Sequence, residues 1–132
     1  MTEYSDPPSM PEDERMTDAE FKVFREYLGL TGDWLAAHLG VSPRTVRHWE
    51  QGKYPIPDGV RLTLEQLEAT AAQQVSAGVD LLNDSPDAVM AIPRTEADCP
   101  PECPWPLSWH RAVAARIAQE IPGLSIIYRP EQ

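Results

Sequence analysis

The residues best equipped for chemistry lie close together in the first half of the chain. Arg44, Thr45, Arg47 and His48 fall within five positions and are interrupted only by Val46, with Trp49 next. On a helix, Val46 and Trp49 are three apart and share an inward face, which turns the four polar side chains outward. An arginine fork can donate two hydrogen bonds to a guanine edge, and threonine and histidine can meet base edges or phosphate oxygens. Lys53, just beyond, adds a point charge suited to phosphate. A second group, Cys99 and Cys103 with His110 further on, has the residue types of a metal or redox site. A closed zinc site needs four ligands, and only these three are evident, so no metal is assigned. No Ser/His/Asp set, glycine-rich phosphate loop or paired carboxylates occur, so neither an enzyme nor a cofactor is expected.

Charge is segregated to match. The 132 residues carry 11 Lys/Arg and 21 Asp/Glu, a net charge of −10. Between Arg44 and Arg61 four basic residues face two acids, leaving that stretch at +2 and the remainder at −12. Overall acidity does not exclude a polyanion, because counterion release depends on which charges meet the phosphates. No apolar run approaches the roughly 20 residues of a membrane span, and the acidic N-terminus lacks the apolar core of a signal peptide. The default compartment is the cytoplasm, with no membrane partner.

The elements that must hold these residues announce themselves by their caps. Residues 1–16 form an acidic, proline-rich tail expected to be disordered. Thr17 and Glu20 have capping-box spacing, and Phe21, Phe24 and Leu28 mark one face of a helix ending at Gly29. Thr31 caps a second helix, with Trp34, Leu35 and Leu39 inward and a stop at Gly40. Val41 is expected to be buried. Ser42 and Pro43, a cap and a first-turn proline, open a third helix closing before Gly52. Glu50 suits an intrahelical or loop-anchoring contact better than base reading, and Trp34 and Trp49 suit a core. His38 is expected at the surface, and Arg61 in a solvated, salt-bridged or phosphate-facing position.

From Asp58, a possible cap, Val60, Leu64, Leu67, Ala71, Val75, Val79 and Leu82 recur every three or four residues, predicting a helix of about 25 residues and roughly 37 Å. Residues 88–92 and 124–128 are strand candidates. Between them lies a proline-rich loop, then a helix capped by Ser108 with Trp109, Val113, Ile117 and Ile121 on one face. Two strands alone are marginal, so they are expected to pair across a dimer or pack on the long helix. The fold expected is mainly α: a helix-turn-helix bundle over 17–57, a long connecting helix over 58–83, and a small β-loop-α-β segment over 84–132.

The spacing of Ala36, Gly40, Val46, Trp49, Glu50 and Gly52 resembles the Cro/repressor type of helix-turn-helix, over about residues 17–70. The resemblance implies a DNA-binding regulator. By position it places Pro43, Arg44, Arg47 and His48 against bases, and Thr45 and Lys53 against phosphate or the groove wall. With the cap Ser42, these seven are the candidate DNA-binding residues. Gly32 departs from the pattern, standing where many members carry a phosphate-binding glutamine. More loosely, IPDGV and the Ala-rich helix bearing Trp109 resemble small regulators related to anti-CRISPR-associated repressors. The expected function is a dimeric repressor that reads an inverted repeat in double-stranded DNA, its two heads spaced by the long helix and the C-terminal segment. Two rivals keep the fold: an antitoxin or adaptor binding a protein partner through 84–132, and an RNA-binding regulator.

Overall fold

A computed structural model of the chain describes residues 11, 15–100 and 103–130. Most of the proposed acidic tail therefore lies outside the described residues. The architecture is mainly helical, as expected: α1 (Asp18–Tyr27), α2 (Gly32–Leu39), α3 (Pro43–Glu50), α4 (Asp58–Leu82), β1 (Val89–Ile92), a 3-10 turn (Glu96–Asp98), α5 (Leu107–Glu120) and β2 (Ser125–Tyr128). The chain divides into two compact units, residues 1–68 and 69–132, with α4 contributing to both. No helix among the described residues is long and apolar enough to cross a membrane.

In the first unit each short helix begins with a side chain that accepts an otherwise orphaned N–H. Thr17 accepts from Glu20 N at 3.0 Å, and the Glu20 carboxylate accepts from Thr17 N at 2.9 Å, a complete capping box. These contacts hold the Glu20 carboxyl below its ordinary range, the backbone bond to Thr17 contributing most. Phe21, Leu30, Leu35, Ala36, Val46, Trp49, Val60 and Leu64 form the core, with Phe21 edge-on to Trp49 at 5.9 Å between centroids. Burial of these side chains, the larger ones contributing roughly 1.5–3 kcal/mol each, holds helices too short to be stable alone.

Three apolar residues depart from expectation. Phe24 is 46 % exposed. Trp34 is half-buried and lies flat on exposed His38, 4.9 Å away, and Val41 is half-buried. A ten-residue helix such as α1 touches its neighbours along a narrow stripe, and Phe24 lies at the edge of it.

The second unit is the expected β-loop-α-β, but its strands pair with one another, parallel, in the register Val89↔Ser125 through Ile92↔Tyr128. A parallel pair requires a long crossover, which α5 provides. Trp109, Val113, Ala114 and Ile117 on α5 are buried, and Trp109 Nε1 donates to Gln74 Oε1 at 2.9 Å. Gly78 of α4 lies so close to Ile117 that a Cβ there would stand 2.4 Å from Ile117 Cδ1. Farther along the α4 stripe, Val79 and Leu82 are only half-buried. Ser108 does not cap α5. Pro106 precedes the helix, and the Glu96 carboxylate accepts from Leu107 N at 3.1 Å. An acid eleven residues upstream thus does what a local hydroxyl was expected to do.

Candidate nucleic-acid interface

The site is built from α2, its turn and α3. Thr31 Oγ1 accepts from Trp34 N at 3.0 Å and starts α2. Ala36, on the buried face of α2, is 1 % exposed. At the N-terminus of α2, Gly32 lies where a Cβ would rest 3.7 Å from Val46 of α3. A Cβ would make only ordinary van der Waals contact there, so crowding at that atom does not account for the missing glutamine. Gly40 ends α2 at φ 73°, a conformation costly for other residues. Val41 N returns to Ala36 O at 3.0 Å and completes the turn.

The start of α3 is closed on itself. Ser42 Oγ accepts from Thr45 N at 3.2 Å and lies 3.0 Å from Thr45 Oγ1. These two hydroxyls hold the helix end and each other, while Pro43 fills the first helical position. Val46 and Trp49 are buried, as their spacing required. Arg44 and Arg47 are exposed, His48 and Thr45 half-exposed, and Lys53 exposed in the loop that follows.

These cations form a cluster. Arg44 Nε lies 3.5 Å from His48 Nε2, at the outer limit of a hydrogen bond. Partial removal from water, then the charges of Lys53, Arg44 and Arg47, hold the His48 imidazole below its ordinary range. At neutral pH it is an uncharged ring among three fixed positive charges. Lys53 is placed by its own backbone, whose N–H donates to His48 O at 3.0 Å.

Two features of the site left no trace in the helical spacing. Tyr54 is 58 % exposed, its ring 5.4 Å from that of His48, and extends the outward row beyond α3. An aromatic residue beside a basic one just after Gly52 was the available signal. The other is Arg25 of α1, which pairs with Glu50 at 2.5 Å and donates to Leu30 O at 2.8 Å. Glu50 is therefore an anchor, but to a different helix. With Glu50 turned to α1, none of the outward side chains from Arg44 to Tyr54 carries a carboxylate, although Asp18 Oδ2 of α1 lies 2.9 Å from where a Cβ on Gly52 would stand. Arg61 pairs with Glu65 one turn along α4.

Such a surface can donate hydrogen bonds and neutralise phosphate charge on a convex, rigid helix. Among the described residues, no group of three His, Cys, Asp or Glu is placed to hold a metal ion. No curated protein matches the chain. Residues 19–75 match the family model of a helix-turn-helix domain, and this segment of the chain is a helix-turn-helix domain that fits the Cro/repressor type.

Proposed function

We propose that the protein is a sequence-specific transcriptional regulator that inserts α3 into the major groove of double-stranded DNA and acts, without catalysis, as a dimeric repressor in the cytoplasm. The observation that carries this reading is the division of α3 into two faces. Val46 and Trp49 are buried while Arg44 and Arg47 are exposed, with His48 and Lys53 completing the outward row. Arg44 and Arg47 are the base readers in this reading. Lys53 contacts phosphate, and Ser42, Pro43 and Thr45 set the helix end against the groove wall.

One recognition helix reads too few base pairs to single out a site in a genome. Two copies related by a twofold axis, with their helices about 34 Å apart, read an inverted repeat. What supports a second copy is β2, where Ile126, Ile127 and Tyr128 are each more than 40 % exposed on a strand with one open edge. Occupying the operator would exclude polymerase from the promoter.

Selection of bound sites from random duplexes tests the reading. A palindromic consensus with half-site centres one helical turn apart is the expected result. An asymmetric single site would remove the dimer, and no enrichment at low salt would remove DNA recognition. A stem-loop RNA that outcompetes every duplex would replace the DNA reading altogether.

A further inference from the structure

The second unit holds a polar cluster that the DNA-binding reading does not use. Cys103 Sγ lies 3.5 Å from His110 Nε2 on α5. The Cys103 N–H donates to Pro100 O at 2.9 Å, which brings Cys103 beside the residue that follows Cys99. Cys99 Sγ donates to Thr95 O at 3.8 Å. Both cysteines are free thiols and both are partly open to solvent. The charges of Glu96 and Arg129 reach both Cys99 and His110.

We propose that Cys99 and Cys103 form a reversible dithiol–disulfide site oxidised by hydroperoxides, with Cys103 the attacking thiol, His110 its base and Cys99 the resolving thiol. The assignment of roles follows from position. A neutral imidazole 3.5 Å from a thiol can take its proton, and the resulting thiolate is the nucleophile. Burial, then Arg129, keeps His110 below its ordinary range and hence neutral at pH 7. Cys99 instead faces a backbone carbonyl, Thr95 O. Burial first, then the charges of Glu96 and Cys103, push its thiol up.

In the first step His110 receives the Cys103 proton and the sulfur attacks one peroxide oxygen. The S–O bond forms, the O–O bond breaks, and the leaving alkoxide takes the proton back to depart as an alcohol, or as water from hydrogen peroxide. In the second step Cys99 sulfur attacks the sulfenic sulfur. The S–S bond forms, the S–O bond breaks, and water leaves carrying the Cys99 proton. Two thiols lose two electrons and one peroxide gains them.

The test treats the full chain with hydrogen peroxide and follows thiol titration and intact mass. The expected result is loss of both thiols, a mass lower by about 2 Da in a chain with no intermolecular link, and full reversal by dithiothreitol. Cys99→Ser should stop at a Cys103 sulfenic acid that dimedone traps. His110→Gln should slow oxidation about tenfold or more at pH 7, and raising the pH to 9.5 should restore the rate by forming the thiolate without the imidazole. A merely structural His110 would leave the ratio of parent to variant rates the same at both pH values, because both thiols gain thiolate alike. Thiols that remain titratable, a link between chains, direct passage to sulfinic acid, or unchanged kinetics in His110→Gln would each overturn the proposal.

Discussion

Glu50→Ala should cost the first unit about 2 kcal/mol, although Glu50 is a half-buried polar residue outside the apolar core. Arg25 and Glu50 meet at 2.5 Å with only 12 % and 15 % of their side chains exposed. At an effective dielectric of about 20, two charges some 4 Å apart attract by about 4 kcal/mol, and desolvation takes back most of that. The intact pair therefore contributes little net stability. Removing one partner is different, because a guanidinium is left nearly out of water, a situation that costs roughly 3–5 kcal/mol when burial is complete. Residual exposure and the remaining bond from Arg25 to Leu30 O lower this to about 2 kcal/mol. Urea unfolding followed at the Trp49 indole NMR signal reads the first unit alone. With a slope of about 2 kcal/mol/M, the midpoint should fall by about 1 M. The double variant Arg25→Met, Glu50→Leu should return to within about 1 kcal/mol of the parent, because neither charge is then stranded. A single variant within about 0.5 kcal/mol of the parent, or a double variant no better than the single, would refute the reasoning.

Arg44→Ala and Arg47→Ala should each weaken operator binding by about 1–3 kcal/mol and relax preference at particular base pairs, as read by competition against base-substituted duplexes. Lys53→Ala should weaken all sequences alike and reduce the slope of log K against log salt by about one. Because His48 titrates below its ordinary range in the free protein and phosphate would raise it in the complex, the complex binds the extra proton. Affinity should therefore rise as pH falls from 7.5 to 5.5, and His48→Gln should flatten that dependence. Gly78→Ala should destabilise the second unit by about 1–3 kcal/mol in calorimetry, since its Cβ would collide with Ile117, and Ile117→Val should relieve the collision by removing Cδ1.

What could be read from the sequence was local. Thr17 with Glu20, Thr31, Gly40 and Ser42-Pro43 mark helix ends because each satisfies a backbone group within four residues, and all act at those ends in the structure. The two faces of α3 were legible for the same reason, since a spacing of three decides which side Val46 and Trp49 share. Contacts made across the chain leave no period. Arg25 meets Glu50 over 25 positions, and Glu96 caps α5 over 11. Nor does spacing give the width of a buried stripe: Phe24 and Trp34 have the right phase but too few neighbours to cover them. The parallel pairing of β1 with β2 was hidden because alternation within a four-residue strand carries no partner or direction. Tyr54 escaped because it follows Gly52, where the helical pattern has stopped.

The position of α3 in the groove is tested most directly by methylating guanine N7, an acceptor found only in the major groove, at single sites of a selected operator. Methylation at the guanines read by Arg44 and Arg47 should abolish binding by the parent protein and have little further effect on the matching alanine variants. Binding indifferent to methylation at every guanine of the site would contradict the account.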